Sequence, residues 1–119
     1  MSDHIIINGI GGFGYHGVFD HERKNGQNFS IDLDIELKNK KAGKSDSIDD
    51  AVDYSKVINL AHKILVGEPV NLIERVAELI AKAILADFPA KSVEVVVHKA
   101  NAPVGLPVSD IAVRIKRSR

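Results

Sequence analysis

Cysteine is absent from the 119 residues, and so is tryptophan. Without cysteine there is no disulfide framework and no thiolate nucleophile. That composition suits a reducing cytosol, so a cytoplasmic location is expected. Aromatics are scarce, two Tyr and four Phe, and the core has to be built from Leu, Ile, Val and Ala. Neither charge sign dominates: 16 Lys and Arg balance 16 Asp and Glu. No global field therefore draws in nucleic acid or an anionic membrane, and neither is expected as a partner. No apolar run approaches the roughly 20 residues of a membrane helix. The opening MSDHIII lacks the charged-then-apolar layout of a signal peptide. Sequence signatures for metal and phosphate are missing as well. Neither H-x-H nor H-E-x-x-H occurs, His16 and His21 lie in a loop-like stretch, and His62 stands alone. There is no Walker loop, G-x-G-x-x-G or G-x-S-x-G. No metal ion and no cofactor is expected.

What is present has the length for one domain, residues 1–119, with one core of modest thickness. HIIINGI, from His4 to Ile10, is a β-branched run and predicts a strand. Gly9, Gly11, Gly12 and Gly14 then weaken regular pairing and predict a bulge or bend. After an opening loop ending at Gly26, residues Gln27 to Leu37 alternate. Phe29, Ile31, Leu33, Ile35 and Leu37 share one face; Ser30, Asp32, Asp34 and Glu36 share the other. Lys38 to Asp50 is polar and loop-like. Helical spacing follows over Tyr54–Val66, stopped by Gly67, and over Asn71–Phe88, closed by Pro89. Ser92–His98 and Val108–Lys116 alternate again. The order ββααββ predicts an α+β layer, an antiparallel four-stranded sheet with two helices on one face. Such a sheet has unpaired edges and a second face carrying acids on its second strand and bases on its fourth. Two arrangements answer this: a monomer with a solvated face, or several copies joined edge to edge into a closed barrel with a wet interior.

Several side chains could carry chemistry, each with a plainer reading. Asn71 and Glu74 have the spacing of a capping box at the second helix start; alternatively Glu74 projects into a cleft, where a carboxylate grips a planar amidine-like edge with two parallel bonds. Lys99 lies at a strand end, solvated, or partly desolvated and able to shuttle protons. Tyr54 opens the first helix, as packing or as a proton donor and stacking surface. Glu22, in the opening loop, is by default a solvated charge.

As a set these residues become specific. The stretches GYHGVFDHERKNGQNFSIDL, DDAVDYSKV, NLIERVAELIA and VVVHKANAPV resemble dihydroneopterin aldolase over practically the whole chain. The spacing HG-x-x-x-x-E-x-x-x-GQ is formed by His16, Gly17, Glu22, Gly26 and Gln27. The D-Y before the first helix, N-L-I-E, and the lysine after the third strand follow in family order. The resemblance implies the tunnelling fold, with sheets of several subunits joined into an oligomeric barrel. Ring tetramers, stacked into octamers, carry the sites at subunit seams. It implies a pterin substrate, 7,8-dihydroneopterin, cleaved by a retro-aldol step to 6-hydroxymethyl-7,8-dihydropterin and glycolaldehyde on the way to folate, with epimerisation at C2′ as a companion activity. It also implies roles. Glu74 anchors the pterin edge, with backbone help from Leu72 and Ile73. Val52 and Asp53 flank the ring, and Tyr54 reaches in from a neighbouring subunit and protonates the nascent hydroxymethyl carbon. Lys99 is the general acid/base, Glu22 orients Lys99 or the substrate hydroxyls, and Gln27 supports that network. Ala100 stands where many relatives have proline, and Asp53 where some carry a ring-stacking residue. The competing expectations are a dihydroneopterin triphosphate epimerase, for which Arg23, Lys24 and Arg75 are the candidate phosphate cations, and a non-catalytic ring scaffold.

Overall fold

The computed structural model describes residues 2–119. One antiparallel sheet runs β1–β2–β3–β4 in both space and sequence, from strands β1 (His4–Gly14), β2 (Gln27–Leu37), β3 (Ala90–His98) and β4 (Ala112–Ser118). Between β2 and β3 the chain forms two helices, α3 (Tyr54–Val66) and α4 (Ile73–Asp87). Two shorter helices precede them, α1 (Asp20–Asn25) and α2 (Lys41–Ser45), and a 3₁₀ turn spans Ile48–Asp50.

The alternation of β2 sets the architecture. Phe29, Ile31, Leu33 and Ile35 are buried, because period-two spacing sends them all to one face. Across the ladder Ile31 pairs with Val97, Leu33 with Val95 and Ile35 with Val93, so the dry face continues onto β3. Helices α3 and α4 cover that face, α3 against β1 and α4 against β3 and β4. Val57, Ala61 and Leu65 of α3 and Val76, Ala77, Ile80, Ala81 and Ile84 of α4 are completely buried, each set at the three- and four-residue steps of one helical stripe. Burying each larger aliphatic side chain contributes about 1.5–3 kcal/mol. The Asp53 side chain caps α3 by accepting a bond from the Ser55 amide at 3.0 Å. Pro89, one residue past the C-cap Phe88, prevents α4 from continuing.

The four strands, the two long helices and their order match the expected α+β layer, and the bounds of β2 and α3 coincide with the expected ones. Elsewhere the boundaries move, for identifiable reasons. A bulge interrupts β1 between Ile7 and Ile10 at Gly9, which has a φ of 76°. Beyond it the strand resumes to Gly14, since regular β2 supplies partners for Gly11 to Gly14. The opening stretch contains a helix, α1, not a plain loop: its carboxylate and guanidinium side chains find partners remote in sequence, described below. The polar segment 38–50 contains α2 and the 3₁₀ turn, neither with a buried residue. Strand β4 starts at Ala112 rather than Val108. Pro107 has no amide to donate, and the first ladder contact is Lys99 N–H to the Ile111 carbonyl at 2.7 Å.

The start of α4 overturns the capping-box expectation. The N-cap is Leu72, without a side-chain cap. Asn71 lies one residue outside, and its Oδ1 accepts a bond from Arg23 Nη2 at 2.6 Å. Glu74 consequently sits in the first turn of α4, exposed and without a capping partner among the described residues.

Candidate active site

The end of the sheet where β2 begins and β3 ends holds the strongest concentration of chemistry. Lys99 follows the last residue of β3, and Glu22 sits on α1. They meet with Lys99 Nζ 2.6 Å from Glu22 Oε2. Only 14% of the lysine side chain and 3% of the glutamate side chain are exposed, so the pair is withdrawn from bulk water. Glu22 receives two more bonds, from Gln27 Nε2 to Oε2 at 3.2 Å and from the Phe19 amide to Oε1 at 3.3 Å. Because the ionised carboxylate only accepts, it requires the amide nitrogen of Gln27 to face it. That leaves Gln27 Oε1 as a buried side-chain acceptor with no partner among the described residues. Burial pushes the Glu22 carboxyl up; the bonds from Lys99, Phe19 and Gln27 and the lysine charge outweigh it, and the net direction is below the ordinary glutamate value. A cleft of about 370 Å³ opens beside the pair, walled by Phe13, His21, Gln27, Asn101 and Pro103.

The segment carrying Glu22 is fastened to the start of α4 by three contacts. Buried His16 donates through Nε2 to the Leu65 carbonyl at 2.7 Å and accepts at Nδ1 from the Val70 amide at 3.1 Å. The Gly17 amide donates to the Val70 carbonyl at 3.0 Å. Arg23 bridges the Gly17 carbonyl, at 2.9 Å, and Asn71. Leu72, Ile73 and Glu74 therefore belong to the same end of the molecule as Glu22 and Lys99. Leu72 is exposed and Ile73 buried.

Val52, Asp53 and Tyr54 do not join them. Val52 is buried beside Leu37 and Pro89, at the far end of β2, about 33 Å of strand away from Gln27. Asp53 is spent on capping α3. Tyr54, 60% exposed, starts the helix whose other end, at Leu65, receives His16; that span is about 16 Å of helix axis. Within one chain the two groups of residues therefore stay apart. His16 is the contributor whose role the sequence did not disclose: both its partners lie about 50 residues away, and no local pattern announces them.

The matched family model is that of dihydroneopterin aldolase, over residues 5–116. The chain belongs to the dihydroneopterin aldolase family. It is 39% identical over 117 residues to the dihydroneopterin aldolase of Streptomyces coelicolor, covering 98% of each chain. Identity to the Bacillus subtilis dihydroneopterin aldolase is 36% over 118 residues, again with 98% of each covered. Among solved structures, the Escherichia coli dihydroneopterin aldolase in complex with neopterin superimposes with a TM-score of 0.90 at 28% identity, covering 98% of this chain and 99% of that one. As a dihydroneopterin aldolase family member the chain is an enzyme of the folate pathway.

Proposed function

We propose that the chain cleaves 7,8-dihydroneopterin between C1′ and C2′ by acid/base catalysis alone, at sites shared between neighbouring copies. The observation that carries this reading is the Lys99–Glu22 pair, buried at 2.6 Å beside an open cleft. A retro-aldol step removes the proton of the C2′ hydroxyl, breaks the C1′–C2′ bond to release glycolaldehyde, and leaves an electron pair on C1′. The conjugated C=N at N5 of the pterin accepts that pair once N5 is protonated, so the protein has to supply placement and proton transfer. Lys99 moves the proton at N5 or at the side-chain hydroxyl; Glu22 holds its ammonium, and Gln27 holds Glu22. Glu74, at the same end, takes the 2-amino and N3 edge in a two-bond fork, with Leu72 and Ile73 contributing backbone. The Tyr54 hydroxyl of a neighbouring copy then protonates C1′, and that copy's Val52 and Asp53 flank the ring.

The seam placement rests on the separation within one chain: about 16 Å of helix axis lies between Tyr54 and the Leu65 end that anchors the Glu22 segment. The free edges of β1 and β4 and the exposed apolar groups Ile6, Ile48, Val104 and Leu106 suit a ring of copies, a tetramer that stacks into an octamer. C2′ epimerisation uses the same proton-transfer groups and accompanies cleavage. The neopterin complex of the Escherichia coli relative supports a pterin ligand. A triphosphate substrate is disfavoured because Arg23 is committed to Gly17 and Asn71. Release of glycolaldehyde from 7,8-dihydroneopterin by the purified protein tests the reading. Wild type is expected to release it and Lys99→Ala to lose at least a hundredfold in kcat. A Lys99→Ala variant with full turnover overturns the assignment.

A further inference from the structure

The opposite face of the sheet carries a polar chain that the reaction does not use. The Gly9 amide, at the β1 bulge, donates to Asp32 Oδ1 at 2.8 Å. Asp32 Oδ2 lies 2.7 Å from His98 Nε2, and His98 Nδ1 lies 2.7 Å from Asp110 Oδ2. One line of contacts therefore crosses from β1 through β2 and β3 to the residues leading into β4. Carboxylates only accept when ionised, so both short contacts are made at once only when both ring nitrogens carry protons. The imidazolium is favoured first by the bond to Asp110, then by the bond to Asp32, against modest desolvation, and His98 titrates above its ordinary value. Of the other groups near it, Ser30 pairs with His98 across β2, Ala112 across β4, and Arg114 on β4 is engaged by Glu94 at 3.5 Å; Asp34, further along β2, is held by His4 at 2.6 Å.

This chain stands directly behind the reactive lysine. Successive residues of a strand point to opposite faces, so His98 faces the polar side and Lys99 the Glu22 side. Residues 100–111 form a loop without regular structure, closed at its base by two contacts: Lys99 N–H to the Ile111 carbonyl, and His98 to Asp110. The same loop brings Asn101 and Pro103 to the wall of the cleft.

We propose that His98 is a positioning residue for Lys99, its doubly bonded ring clamping Asp32 and Asp110 so that the end of β3 and the loop base hold the lysine against Glu22. The proposal rests on the aldolase reading above for its kinetic arm only. With the intact protein and 7,8-dihydroneopterin, His98→Gln is expected to lower kcat about tenfold to a hundredfold, the scale of a small misplacement of a catalytic group, with KM nearly unchanged because the pterin-gripping end of α4 is untouched. Asp110→Asn, a milder change, should move the alkaline limb of the kcat profile to lower pH, since the ring loses the carboxylate that most favours its charge. Wild-type kcat in His98→Gln with an unshifted pH profile in Asp110→Asn overturns the proposal, as does an equal rise in KM and fall in kcat. A wild type that releases no glycolaldehyde sinks the aldolase reading instead. In that event NMR decides: the protection factor of the Lys99 amide should fall as the His98 ring titrates, and a protection factor indifferent to that titration overturns the clamp.

Discussion

Gly17 shows how tightly the site is dimensioned. A Cβ at this position would lie 2.5 Å from the Glu22 carboxyl, where no side chain fits without moving the carboxylate. Gly17→Ala is therefore expected to fold, to keep the His16 clamp, and to displace Glu22 from Lys99. The expected cost is about a hundredfold in kcat, comparable to a displacement of roughly 1 Å at a catalytic group. Steady-state kinetics beside a thermal melt check this; a variant with wild-type kcat contradicts the close-approach argument. His16 makes a second prediction, in pH. Burial, opposed by its bond to Leu65, holds the imidazole below its ordinary value, and its Nδ1 has to stay unprotonated to accept from Val70. The folded state then binds fewer protons than the unfolded chain just below the unperturbed value of about 6.5. Stability from His16 is complete above that value and declines as pH falls through it towards the lowered one. His98 has the opposite sign: its contribution is complete below about 6.5 and declines as pH rises through its raised value. Urea midpoints measured across pH should fall on the acid side in wild type, and His16→Ala should remove that acid-side contribution.

At the scale of elements, α4 links the core to the site. Its buried stripe rests on β3 and β4, while its first turn presents Leu72, Ile73 and Glu74 beside the Glu22 segment. Ile80→Ala in the middle of that stripe, where the side chain is completely buried, should destabilise by about 2–5 kcal/mol without changing kcat at temperatures where the variant stays folded. A loss of kcat in fully folded protein would mean that the helix transmits core strain to its first turn. The elements themselves were largely legible, because periodicity is a local signal: the five alternating apolar positions of β2 and the stripes of α3 and α4 depend only on neighbouring residues. Ends set by distant partners were not legible. Asn71 looks like a helix cap until Arg23 takes its oxygen, α1 forms where Glu22 and Arg23 find partners from other elements, and β4 begins only past Pro107, once the Ile111 carbonyl accepts from the Lys99 amide. The site divides the same way. The residue types of Glu22, Lys99, Glu74 and Tyr54 stood out through the family resemblance, whereas the 2.6 Å pairing and the histidine clamps join residues from a dozen to dozens of positions apart and exist only in three dimensions.

At the scale of the whole molecule the proposed sharing of sites between copies leads to a test of assembly. Glu22, Lys99 and the start of α4 occupy one end; Tyr54 starts α3 about 16 Å of helix axis away from it, and Val52 packs beside Leu37 at the far end of β2. If sites form at seams, a Tyr54→Ala chain still offers an intact lysine end, and a Lys99→Ala chain an intact tyrosine end. Each variant alone should release glycolaldehyde at a small fraction of the wild-type rate. Co-refolded in equal amounts, the two chains mix at random around a closed ring, and about a quarter of the seams then combine both intact halves. The mixture should recover about that share of wild-type kcat per seam while KM stays at the wild-type value, since each restored seam is chemically complete. Mixing the separately folded variants without denaturant should recover less, in proportion to how slowly subunits exchange. Co-refolded mixtures that assemble as the wild type does by sedimentation yet gain no activity would show that the tyrosine and the lysine serve within one chain, and would remove the catalytic argument for a ring.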